Sequence, residues 1–78
     1  MNVLEATVKE ARRYGITVSA AARQAGVEKK NFYNAMSSGR VEPKDMRPAE
    51  RKLFAAMVEM LEKEQRYNAR IVKKYGNR

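Results

Sequence analysis

The chain has 78 residues, with 17 Lys and Arg against 9 Asp and Glu, a net charge of +8, and neither cysteine nor histidine. This inventory excludes disulfide staples, thiolate chemistry and the usual zinc sites, and it allows one small domain with a modest core. The charge balance favours a polyanionic partner, and the lack of cysteine fits a reducing compartment such as a cytoplasm.

The first predicted helix runs from about Val3 to Tyr14. Asn2 with Glu5 three residues on is a capping-box arrangement. Leu4, Thr7, Val8 and Ala11 share one face, while Glu5, Lys9, Arg12 and Arg13 face out. Gly15 reads as the stop, with Ile16 folding back onto the helix end. This opening segment carries acid early and has no apolar run of signal-peptide length, so export is not expected. No uncharged stretch in the chain approaches the roughly 18–20 residues of a membrane span.

Ser19 to Ser37 is the most informative block. Ser19 reads as an N-cap, and the alanine-rich run after it predicts a second helix over about Ala20 to Ala25. Gly26 breaks that helix where a left-handed residue is needed, and Val27, Phe32, Ala35 and Met36 restart an apolar rhythm in a third helix, about Lys29 to Ser37. Ala22 supplies the small residue that two steeply crossing helices require. A helix-turn-helix of this kind lays its second helix in a DNA major groove.

The stretch Ala11 to Met36 resembles the DNA-binding unit of the factor for inversion stimulation and the nitrogen-regulator activators. The matching residues are the alanine pair Ala21 and Ala22, the turn Gly26 and Val27, the basic pair Lys29 and Lys30, and the apolar-tyrosine pair Phe32 and Tyr33. The match covers about a third of the chain. Glu28 departs from it, standing where the family usually has a Ser or Thr cap, and here a long tail follows a unit that those families carry at their C-terminus. The resemblance implies binding to double-stranded DNA.

Beyond Met36, Ser37 to Asp45 reads as a loop, because Ser-Ser-Gly ends a helix and Pro43 forbids simple continuation. Pro48 suits the first turn of a last helix, and Glu50 adds a favourable charge there. Nothing breaks that helix from Ala49 to about Tyr75, so it reaches roughly 40 Å. The preceding residues fold into a globule only about 24 Å across by compact-domain scaling. The helix must therefore outrun its own domain. Leu53, Phe54, Met57 and Leu61 can close the core, whereas Tyr67, Ile71, Val72 and Tyr75 sit beyond it and call for a second chain. Heptad spacing aligns Phe54, Leu61, Asn68 and Tyr75 at one seam position and Met57, Glu64 and Ile71 at the other. Glu64 spoils the repeat, and Asn68 is a residue type that fixes register. The expected homodimer interface is Met57, Leu61, Tyr67, Asn68, Ile71 and Tyr75.

The fold class expected is therefore all-α. A three-helix DNA-binding unit with its loop occupies residues 1–46, and the long helix occupies 47–78 for oligomerisation. With Val27, Phe32, Ala35 and Met36 turned inward, the base-contacting set is Lys29, Lys30, Tyr33, Asn34 and Ser37. Lysine suits guanine O6 and N7, and asparagine pairs with adenine at two points. Glu28 either accepts from cytosine or caps its own helix. Phosphate contacts are expected from Ser19, Arg23, Gln24, Arg40 and Lys44. The terminal run with Arg66, Arg70, Lys73, Lys74 and Arg78 offers either dipole compensation or a second phosphate surface.

Enzyme chemistry is not expected. There is no histidine, no glycine-rich phosphate loop and no clustered metal ligand set, and the acids are scattered among bases as in surface ion pairs. Neither a cofactor nor a small-molecule substrate is called for. The leading expectation is a homodimeric transcriptional regulator, a repressor of bacterial or phage type. An architectural or packaging role is an alternative, since a phage small-terminase subunit also joins an N-terminal helix-turn-helix to a helical oligomerisation segment. A non-enzymatic inhibitor that turns its basic helices to an acidic protein is another.

Overall fold

The computed structural model describes residues 2–75, and their side chains as far as Tyr67. It is all-α: four helices, α1 (Val3–Arg13), α2 (Val18–Ala25), α3 (Lys30–Ser37) and α4 (Pro48–Tyr75), with a single 3₁₀ turn at Pro43–Asp45 and no strand among the described residues. The 3₁₀ turn lies inside the segment expected to be plain loop.

Local chemistry sets the first helix as expected. The Asn2 side chain accepts from the Glu5 amide at 2.8 Å, and Leu4, Val8 and Ala11 are buried on one face. Ile16 does fold back: its amide donates to the Ala11 carbonyl at 3.0 Å, and its side chain joins the core.

The second helix starts earlier than its alanine run suggests. Thr17, not Ser19, is the N-cap, extended at φ −104° and ψ 159°, with its hydroxyl accepting from the Ala20 amide at 3.1 Å. Starting there places Val18 against the core and leaves Ser19 exposed. The turn to α3 is the expected one. Gly26 sits at φ 72°, a left-handed conformation that costs a residue with a Cβ about 1 kcal/mol or more. The Val27 amide then closes back on the Ala22 carbonyl at 3.1 Å.

The core forms two connected clusters. One joins Val8, Ala11, Ile16, Ala21 and Ala22 to Leu53 and Met57, and the other joins Leu4, Ala35 and Met46, with Phe32, Met36, Val41 and Phe54 packed around them. Each of the three short helices packs on α4, whose first half is their shared wall. The core therefore does not stop at residue 46: Leu53, Ala56 and Met57 are buried with the core residues of α1 to α3. The resulting body measures 49 × 26 × 18 Å, its long axis consistent with a helix longer than the globule it seals.

Candidate nucleic-acid interface

The third helix has one buried residue, Ala35, with Phe32 and Met36 half-buried on the same side. That inward set leaves Lys30, Tyr33, Asn34 and Ser37 exposed together, with Lys29 exposed just before the helix begins. The ring of Tyr33 meets Phe32 edge to face at 5.3 Å and 83°, so an exposed aromatic is oriented by a packed one. The Ser37 hydroxyl donates to the Asn34 carbonyl at 3.3 Å.

Lys29 stands at the cap position in helical geometry, and no side chain caps α3. Glu28 does not cap its own helix. Its carboxylate pairs with Lys30 Nζ at 3.2 Å, and its carbonyl accepts from the Asn31 side-chain amide at 2.8 Å. Both partners of the Glu28–Lys30 pair are exposed, so the pair is weak and leaves Lys30 available to a stronger anion.

The expected phosphate set divides. Ser19, Arg23 and Gln24 are exposed on α2, and Lys44 is exposed on the 3₁₀ turn. Arg40 is elsewhere. Its guanidinium grips the Glu50 carboxylate with two bonds, Nε to Oε1 at 2.9 Å and Nη2 to Oε2 at 2.7 Å. Gly39, at φ 73°, lets the chain turn so that the Arg40 amide closes on the Ala35 carbonyl and its side chain reaches α4. Arg40 is thus a part-exposed strut whose guanidinium is engaged by Glu50.

Glu50 itself is buried, only 3% exposed. It also accepts the Arg47 amide at 2.9 Å, the return half of a capping box at the start of α4. The Arg40 hydrogen bonds, opposed by burial and helped by the Arg47 amide, pull its carboxyl down to about 2. Sequence reading gave Glu50 only a helix-dipole role. The signal for more was the spacing from Arg47 past Pro48 to Glu50, which matches the capping box in one half.

Of the expected dimer residues, Met57 is fully buried in the chain's own core, because its helical phase coincides with Leu53. It is a core residue. Leu61 is half-buried against the same core, and Tyr67 is 58% exposed. The side chains of Asn68, Ile71 and Tyr75 lie outside the described ones.

Sequence reasoning missed the contribution of α1. Lys9, Arg12, Glu5 and Val8 line a groove of about 460 Å³ together with Phe32 and Met36, so α1 brings two cations and one acid to the side of α3 that carries its half-buried residues. Periodicity places those cations outward but says nothing of what they face.

Among the described residues, no group of three or more acids could hold a metal ion, and no helix is long and apolar enough to cross a membrane. Comparison with protein-family models, with curated proteins and with solved structures finds no match to this chain.

Proposed function

We propose that this chain is a sequence-specific, double-stranded-DNA-binding regulator acting as a homodimer, a repressor of bacterial or phage type. The observation that carries the reading is the outer face of α3, where Lys30, Tyr33, Asn34 and Ser37 are all exposed on a short helix held from behind by Phe32, Ala35 and Met36. A helix so mounted, on a chain of charge +8, has the shape and sign to enter a major groove. Lys30 and Asn34, one turn apart, would read base edges. Arg23, Gln24 and Lys44 on neighbouring elements would hold the phosphates and fix register without reading sequence.

The dimer reading rests on the length of α4 and on Tyr67, an exposed aromatic beyond the core. Pairing through this outer part would set two recognition helices about 34 Å apart or a multiple of it, one turn of DNA. Bound sites selected from randomised duplexes, run beside light scattering, test the proposal. A dyad-symmetric consensus with a dimer mass supports it. A larger ring with no consensus would favour packaging, and no DNA retention would favour an inhibitor of an acidic protein.

A further inference from the structure

At the edge of the recognition face, α1, the entry to α2 and the start of α3 meet around a cleft of about 220 Å³. Arg12, Ser19, Lys29 and Tyr33 stand on its lining, and Val8 and Ile16, both nearly buried, form its apolar part. The lining holds two cations, three hydroxyl-bearing side chains and no carboxylate, and of the hydroxyls that of Thr17 is already engaged as the cap of α2.

The distribution of acids around it is selective. Two consecutive cations end α1, and Arg13 pairs with Glu10 at 3.2 Å. Lys29 at the cap position and Lys30 at the first residue of α3 form a second doublet, and Lys30 pairs with Glu28 at 3.2 Å. In each doublet the other member, Arg12 or Lys29, lines the cleft, and neither has an acid partner among the described residues. Two like charges beside one concavity with an apolar wall repel each other, and a shared anion would relieve that repulsion. An open cleft of this size admits a tetrahedral oxyanion group.

We infer that this cleft seats one phosphodiester group of the DNA backbone, with Arg12 and Lys29 on either side of it and the Ser19 and Tyr33 hydroxyls donating to its oxygens. The inference rests on the DNA-binding reading and refines it. Lys29 and Tyr33 move from reading bases to positioning the chain, Arg12 joins the interface, and base readout narrows to Lys30, Asn34 and Ser37.

The test uses the full chain carrying Arg12→Gln, Lys29→Gln or both, with Arg13→Gln as the control on the paired neighbour. All three positions are exposed, and circular dichroism checks that each variant keeps its helices. Affinity is measured on a selected duplex and on an unrelated one between 50 and 200 mM salt. Because the two cations share one phosphate and the dimer carries two such clefts, the double variant should flatten the slope of log affinity against log salt by about two, and each single variant by less. The loss should be equal on the two duplexes, and Arg13→Gln should follow wild type. A double variant with the wild-type slope overturns the assignment while leaving DNA binding intact, as does a loss confined to the selected duplex. Saturation of the Arg12 and Ser19 NMR signals by inorganic phosphate alone, at concentrations that leave duplex binding unchanged, would also overturn it, in favour of a free small anion. A wild type that retains no duplex removes both the assignment and the reading beneath it.

Discussion

The two parts of α4 hold their helical shape for different reasons. From Pro48 to Leu61 the helix is the wall on which α1, α2 and α3 pack, and Leu53, Ala56 and Met57 are sealed beneath them. From Glu62 to Tyr67 every residue is exposed. That outer stretch contributes no packing to the core, and its helicity rests on strong helix formers and on the helix already nucleated before it. A change in the first part is therefore felt as lost folding stability, whereas a change in the second is felt only by whatever meets it from outside.

The largest expected effect breaks the inner part. Met57→Ala should cost about 3–5 kcal/mol, by lost transfer energy and the cavity left at a fully enclosed site. Tyr67→Ala should cost under about 0.5 kcal/mol at protein concentrations low enough to exclude association. Urea titrations of both variants with wild type check the pair, and equal costs would erase the distinction between the two parts.

The next effect concerns the strut at the start of α4. Arg40→Ala should destabilise the fold clearly, because it leaves the Glu50 carboxylate buried with only the Arg47 amide as partner. Glu50→Ala should cost less, since its remaining partner is the more exposed of the two, at 21% of its side chain against 2%. The folded Glu50 carboxyl lies near 2 against an ordinary 4.5. Its contribution to stability is therefore full above about pH 4.5 and is lost as pH falls towards 2. Acid titration of stability should show this loss in wild type, and it should be absent from Glu50→Gln.

A smaller effect separates the two candidate caps of α2. Thr17→Ala should cost about 1 kcal/mol, whereas Ser19→Ala should change stability by only a few tenths. Thermal melts of the two variants check the order. The smallest effect on folding is expected furthest out along the chain. Ile71→Asp, designed from the heptad pattern, should leave the unfolding free energy of the monomer unchanged within about 0.5 kcal/mol and abolish dimerisation in sedimentation, since a charge in a dimer seam is costly to desolvate.

These contrasts follow how much of the fold is legible in the sequence. The Asn2 cap, the Gly26 turn, the start of α4 at Pro48 and its uninterrupted length were all readable, because each is decided by residues within a few positions of one another. Thr17 was not readable over Ser19. Both are good caps, and the choice falls to the packing of Val18, which is a tertiary fact. Arg40 reads as a loop cation because its partner lies ten residues away and is reached only through the turn at Gly39. Met57 satisfied two patterns at once, the core phase set by Leu53 and a heptad seam, and only packing separates them. Arg12 shows the same limit at the candidate site. Its exposure follows from periodicity, but its place beside Lys29 depends on how α1 lies against α3.

Duplex binding measured against salt tests the DNA-binding proposal most directly. If Arg12, Arg23, Lys29, Lys44 and their counterparts in a second chain neutralise phosphates, log affinity should fall linearly with log salt, losing on the order of a thousandfold between 50 and 200 mM. An affinity that ignores salt across that range, or a chain that retains no duplex at 50 mM, would contradict it.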